Sequence, residues 1–322
     1  MIDQNSNQKD WVGLWYTLAK EEAGINDLIS FYQVHLLTMS IVKQVDLSHS
    51  QTDGLGGLLR VLEQNGVPVL KSPQSKTKPI SNIFKKLSVL YKARNISKYH
   101  QVPWKEFNPQ HRAANSEYDL AFKVLNEKNS TMIEACAKTH GGSVNSWLLY
   151  HLNKIITEQY FAKPSQGTWL FPVNMRGGLG TRPSSMNNSS AISIEIDPED
   201  QHFDVHGQIK NRLKSNVHWV VWWSLQMGQV TGINYMKKVS KRRRENNFCL
   251  GTFSNMGEFQ SEKSDFIWTF SPPGTPNFPF GMSLLKWNGQ WVLTLKKHPA
   301  VGLSLVKSDE ILTELLNRIL VF

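Results

Sequence analysis

Val45-Asp46-Leu47-Ser48-His49-Ser50-Gln51-Thr52-Asp53-Gly54-Leu55-Gly56-Gly57-Leu58-Leu59 joins an imidazole, a carboxylate and a tight turn in one run. His49 stands four residues before Asp53, and Gly54 follows at once. The apolar-rich stretch from Leu36 to Leu47 predicts a buried strand. Gly54 relieves the steric limits on the turn, and Leu55 to Glu63 predicts the helix that follows. The imidazole then sits at a strand's end beside a helix N-terminus, both held and exposed. There it can take a proton from a hydroxyl or amine as that group attacks an acyl carbonyl. Asp53 either accepts from the ring or turns away and pins the loop through a cation. The plainer alternative is a solvated loop histidine followed by an unrelated Asp-Gly turn.

The 322 residues suffice for one large domain or two lobes, each with its own core. Apolar residues make up 40% of the chain and there are eleven tryptophans, which marks a globular fold. No apolar stretch is long enough to cross a bilayer, and Met1 to Asp10 is polar with no signal-peptide pattern. Cys136 and Cys249 are too few for a disulfide scaffold and read as reduced core residues. The expected location is the cytoplasm, with peripheral membrane contact as a variant.

The net charge of +10, from 36 basic and 26 acidic residues, attracts polyanions, acidic carrier proteins, anionic lipid heads or the phosphates of a nucleotide-like cofactor. Two clusters stand out, Lys71 to Lys98 and Lys237-Lys238-Val239-Ser240-Lys241-Arg242-Arg243-Arg244; solvated helix faces and a linker are the simpler account of both. Neither interleaves aromatics as a nucleic-acid platform does, so nucleic acid is not an expected partner.

Residues 71 to 110 carry Pro73, Pro79, Pro103 and Pro109 among lysines and serines and read as a connector, with one basic helix from Asn82 to Arg94. Strands are predicted at Tyr118 to Leu125, Trp169 to Asn174, Ala191 to Ile196, Phe248 to Phe253, Phe266 to Phe270, Phe280 to Trp287 and Trp291 to Leu295. Helices are predicted at Ser130 to Thr139, Val144 to Glu158 with Ser143 as cap, Gln201 to Leu213, Val217 to Lys241 and Ser308 to Leu320. Asn288-Gly289 predicts a hairpin turn. The order is mixed α/β, unlike a simple doubly wound sheet. The aromatic segment Val217 to Met227 reads as a core helix, a lipid channel wall or a membrane-surface element. A nucleophile elbow and the common metal-ligand spacings do not occur.

Taken in order, these segments resemble the chloramphenicol-acetyltransferase-like acyltransferase superfamily, in particular its wax ester synthase/diacylglycerol acyltransferase, alcohol acetyltransferase and condensation-domain branches. Ser48-His49-Ser50-Gln51-Thr52-Asp53-Gly54 is similar to the His-His-x-x-x-Asp-Gly motif. The Gly141-Gly142-Ser143-Val144-Asn145-Ser146 junction is similar to Gly-x-Thr-Val-Asn-Asp. Phe171-Pro172-Val173-Asn174-Met175-Arg176 resembles the Val-Pro-Val-x-x-Arg strand, and Phe253-Ser254-Asn255-Met256-Gly257 the Phe-Ser-Asn-x-Gly element. Ser48 stands where the family has its first histidine, and Ser146 where it has an aspartate.

The resemblance implies a coenzyme-A-dependent acyltransferase-like two-lobe fold of mixed sheets, with a tunnel between the lobes. It implies His49 as general base, Asp53 as a structural ion-pair former with Arg176 as partner, and Gly54 as the residue that lets the helix start close to substrate. Asn145 is expected to cap and hold the lobe junction, and Ser254 and Asn255 to lie in a loop near the oxyanion. Residues 1–70 would be a partial first lobe, 71–110 the connector and 111–322 the second lobe. Family members usually have well over a hundred residues before this motif, and here there are 48. Either another subunit, in a homo-oligomer, completes the first lobe, or activity has been lost and the chain is a noncatalytic scaffold. No tightly bound cofactor or metal is expected. The implied co-substrate is an acyl-CoA or phosphopantetheine thioester, the acceptor a small molecule or lipid, and a further partner an acidic acyl carrier protein.

Overall fold

Asn288 and Gly289 both adopt positive φ, 47° and 87°, the geometry of a two-residue hairpin turn. They join the two strands at the centre of the molecule. The computed structural model describes residues 10–23, 27–94, 101–109, 111, 118–180, 182–244, 249–302 and 305–320. In chain order the first elements are α1 (Trp11–Ala23), β1 (Leu28–His35), β2 (Ser40–Ser48), α2 (Gly54–Gln64), β3 (Val69–Lys71) and α3 (Ile83–Arg94). There follow β4 (Asp119–Val124), α4 (Glu127–Thr139), α5 (Val144–Tyr160), β5 (Gly167–Asn174) and β6 (Ser189–Ile196). The rest are α6 (His202–Lys214), α7 (His218–Gln226), α8 (Gly228–Arg244), β7 (Gly251–Ser261), β8 (Phe266–Ser271), β9 (Phe280–Trp287), β10 (Gln290–Lys297) and α9 (Ser308–Leu320).

The larger sheet runs β4-β10-β9-β7-β5-β6, with β3 on the far end of β7. Only the β9–β7 and β7–β5 pairs are parallel. The smaller sheet is β2-β1-β8 and antiparallel. Side chains alternate across a strand, and in β9 Met282 and Leu284 enter one core while Leu285 and Trp287 enter another. The first core lies under α4, α5 and α9, where Ile133, Leu148, Leu152, Ile156 and Leu315 cover the large sheet. The second fills the space to the small sheet and α2, through Phe31, Leu58, Leu62 and Phe270. Buried on both faces, β9 is apolar except for Ser283 and Lys286, and β10 is apolar from Trp291 to Leu293 and at Leu295.

β7 also serves both cores. Phe253 of β7 belongs to the first, whereas Met256 and Phe259 belong to the second. A bulge between Asn255 and Glu258, with Gly257 at φ 81°, inverts the alternation between them. α5 starts cleanly because Ser143 and Ser146 form a reciprocal capping box. Outside both cores, α1 packs on α8 through Trp15, Leu18 and Met236.

Three expectations need correction. The buried strand of the small sheet is β1, which the sequence reading missed together with α1; residues 36–39 form a turn, and β2 is an exposed edge. Its exposed Ile41 and Val42 made it look like core. The segment from Val217 to Lys241 is not one helix: α7 ends at Gln226, and Gly232 at φ 78° interrupts α8. Ser254 and Asn255 lie inside β7, not in a loop. Phe248, residues 95–98 of the first basic cluster and the side chains of 242–244 in the second lie outside the described residues. Within α7, His218, Trp219 and Trp222 are buried and Val221 is exposed, so the segment is mainly a core helix.

Gly251 is held where β7 meets β9, and a Cβ there would lie 1.9 Å from the Phe280 carbonyl oxygen. Gly251→Ala is expected to cost about 3 kcal/mol of stability, because backbone must move to admit the methyl group. Urea unfolding of the variant checks this; an unchanged midpoint contradicts the packing described here.

Candidate active site

The loop between β2 and α2 is fixed by a buried carboxylate. Asp53 is 3% exposed and caps α2, its Oδ1 accepting from the Gly56 N–H at 2.8 Å. The same oxygen accepts from Arg176 Nη2 at 2.8 Å, and Oδ2 accepts from the Asn188 N–H at 2.7 Å. Asp53 therefore turns away from the imidazole. Arg176 lies in a single 3₁₀ turn directly after β5, and Asn188 directly precedes β6, so Asp53 ties the small sheet's loop to that hairpin. The guanidinium does not grip the carboxylate in two places, as expected from its fork. It donates instead to the Ser184 carbonyl from Nε at 3.0 Å and to Asn174 Oδ1 from Nη1 at 3.3 Å.

With Asp53 turned away, His49 is held by backbone. Its Nδ1 lies 2.9 Å from the Thr52 carbonyl oxygen, which can only accept, and 2.9 Å from Asn187 Nδ2, which can only donate, so Nδ1 is engaged on two sides by contacts that select opposite tautomers. Nε2 has no hydrogen-bond partner among the described residues, and it carries the lone pair in the tautomer that the Thr52 contact selects. The buried Asn187 donates from Nδ2 to the His49 carbonyl at 2.8 Å, and its Oδ1 accepts from Ser189 Oγ, which fixes the amide's orientation. The ring of Tyr16, from α1, stacks on the imidazole at 4.3 Å between centroids. Burial pushes the His49 pKa below its ordinary value, against the opposing hydrogen bond to Thr52 and the charge of Asp53. The arrangement thus holds a neutral imidazole with one nitrogen tied and one available.

The remaining expected residues fall in two places. Gly54 begins α2 at the edge of this loop without needing positive φ; a Cβ there would meet Met256 Cε at 2.6 Å, so glycine permits close packing on β7 rather than the turn itself. Asn145 does not cap α5, which Ser143 does. Its Oδ1 accepts from Asn255 Nδ2 at 2.6 Å, joining α5 to the bulge of β7. That bond engages the Asn255 amide, and Ser254 lies opposite Ser283 in the register of β7 and β9. Ser48, in the place of the family's first histidine, donates its hydroxyl to Asp27.

Tyr16, Asn187 and Asp27 escaped the sequence reading. Only the adjacent Asn187-Asn188 pair before a strand hinted at their role, since asparagines favour such turns. Among the described residues no group of three or more His, Cys, Asp or Glu side chains could hold a metal ion, and no helix is long and apolar enough to cross a membrane.

No family model and no curated sequence matches the chain. Solved structures do. The epimerization domain from the third module of tyrocidine synthetase B aligns with 86% of this chain and 67% of its own, at 12% identity and a TM-score of 0.52. The trichothecene 15-O-acetyltransferase of Fusarium sporotrichioides aligns with 98% of this chain and 75% of its own, again at 12% identity and 0.52. The EpoB cyclization-docking bidomain of Sorangium cellulosum covers 86% and 58%, with the same identity and score. At such identities the likeness establishes the fold alone, a mixed α/β architecture shared with these proteins.

Arg176→Leu leaves a buried carboxylate without its counter-charge. A broken buried pair costs about 3–5 kcal/mol, and the two N–H groups still serving Asp53 place this case at the lower end. Thermal unfolding of Arg176→Leu beside the double variant with Asp53→Asn separates the pair's coupling from general damage. Additive losses would mean that the two residues do not act as a unit.

Proposed function

We propose that the protein is an acyltransferase moving an acyl group from a thioester to an alcohol or amine. The reading is carried by the unpartnered Nε2 of His49, on a ring whose other nitrogen is held between the Thr52 carbonyl and the Asn187 amide. The donor is an acyl-CoA or an acyl group on the phosphopantetheine arm of an acidic carrier protein, for which a net charge of +10 is suited. Nε2 takes the acceptor's proton as its oxygen or nitrogen attacks the thioester carbonyl. The tetrahedral intermediate collapses, the C–S bond breaks, and the imidazolium returns the proton to the departing thiolate. An ester or amide and a free thiol result, with no covalent enzyme intermediate.

A lipid acceptor at a membrane surface is favoured by α3, which leaves Phe84, Leu87 and Tyr91 exposed beside Lys85. The open edge of β2, with Ile41 and Val42 exposed, supports a second copy adding strands to the small sheet. The alternative function is a noncatalytic protein that keeps the fold. Two observations favour it: Ser48 in the place of a histidine, and Tyr16 covering one face of the His49 ring.

Thiol release from acyl thioesters, with hydroxyl and amine acceptors supplied, separates the two readings. His49→Ala is expected to lower turnover by about 10²–10⁴-fold with unfolding unchanged. Turnover that survives this change, or its absence from the native protein with every donor, supports the scaffold. Because burial lowers the His49 pKa, the base stays neutral as pH falls, and the rate is expected to hold down to about pH 6.5 and decline only below it. A pH–rate profile falling already between pH 8 and 7 contradicts the assignment.

A further inference from the structure

A groove of about 790 Å³, whose lining does not include His49, lies between the connector before α3, α3 itself, the end of β5 and the junction of α6 with α7. Its size is that of a small-molecule site. Lys76, Lys78, Lys85, Lys92 and Lys214 line it, and no carboxylate does. Among the described residues none of these five lysines has an ion-pair partner. Five unneutralised ammonium groups around one concavity focus a positive potential into it.

The wall also contains His218, the first residue of α7, so the positive end of that helix lies at the groove. His218 is 4% exposed, and both ring nitrogens are buried without a hydrogen-bond partner. A buried polar group left unpaired is costly, and such groups are rare unless something else serves them. An imidazole N–H there would donate to an anion's oxygen. The uncharged lining is mixed, and its apolar part includes Val89, Phe171 and Val173, buried side chains of the same groove.

We infer that this groove binds a phosphate-bearing amphiphile, its phosphate among the lysines and His218 and its apolar portion against Val89, Phe171 and Val173. The site does not depend on acyl transfer. It does adjoin the clamp, because Asn174 lines the groove and its side chain accepts from Arg176. Ser75 and Thr77 donate to the Asn174 carbonyl at 2.8 and 2.7 Å, so the connector's hold on β5 forms part of the groove.

Dodecyl phosphate, below its micelle concentration, is the probe, titrated calorimetrically into the full chain. Saturable one-to-one binding is expected, weakening as salt is raised. The triple variant Lys76→Gln, Lys78→Gln, Lys85→Gln, all exposed side chains, is expected to bind at least about tenfold more weakly with unchanged unfolding. His218→Leu should weaken binding and His218→Gln, which keeps a donor, should restore part of it. Inorganic pyrophosphate and dodecanol, each carrying half of the recognised chemistry, should both bind more weakly than the probe. Sedimentation with phosphatidic-acid vesicles, lost in the triple variant, identifies the source as a lipid headgroup; binding of the free probe without sedimentation identifies a soluble phosphate ester. The inference is overturned if the native chain does not saturate, or if the triple variant binds as tightly. His49→Ala should bind the probe like the native chain, which keeps this result separate from that of the acyl-transfer test.

Discussion

A carboxylate removed from water must be met by donors or its charge is intolerable, and Asp53 meets that requirement with groups from three separate segments. The Gly56 N–H comes from its own helix, the guanidinium from Arg176 after β5, and the Asn188 N–H from the start of β6. Neither distant partner can move without exposing the other bonds. The loop from Ser48 to Thr52 is thereby fastened at its C-terminal end, and the His49 N–H to the Asp27 carbonyl fastens the other. Between the two anchors the imidazole has little freedom.

The layers explain why that loop lies where it does. α2 packs its Leu58, Val61 and Leu62 into the core between the two sheets, which carries Asp53 to the sheet junction. The bulge in β7 turns Phe259 into the same core as Met256, and the Asn145–Asn255 bond fastens α5 to that bulge. Close approach at Gly54, where a methyl group would have to displace the flexible end of Met256, seats α2 against the same strand. Thr269 and Thr294, bonded through their hydroxyls at 2.6 Å, satisfy each other between the sheets. Polar pairs at these few points fix the registry of an otherwise apolar interior.

Several elements were legible because local chemistry dictates them. The Asn-Gly turn has to take positive φ, so the hairpin at residues 288–289 was certain to appear. Ser143 before an apolar helix fixed the start of α5, and the periodicity of residues 308–320 matched α9. β2 misled because an edge strand can display Ile41 and Val42 to solvent, and apolar content reports preference and not burial. Gly232 broke a helix that composition made continuous, since a glycine's φ is chosen by its surroundings.

The sequence by itself determined the pieces that depend on neighbours in the chain: the cap, the hairpin, the alternation of β9 and β10, and the spacing that puts His49 one turn before Asp53. The likeness of the Phe171 to Arg176 stretch to the acyltransferase superfamily's strand also pointed to Arg176 as the partner of Asp53, an arginine suited to a carboxylate because it keeps its proton. Only the tertiary structure decided which groups complete the site. Tyr16 on the His49 ring, Asn187 on its carbonyl and the single-pronged grip of Arg176 join residues 33, 138 and 123 positions apart. Contacts over such separations follow from how the layers pack, and no local propensity encodes them.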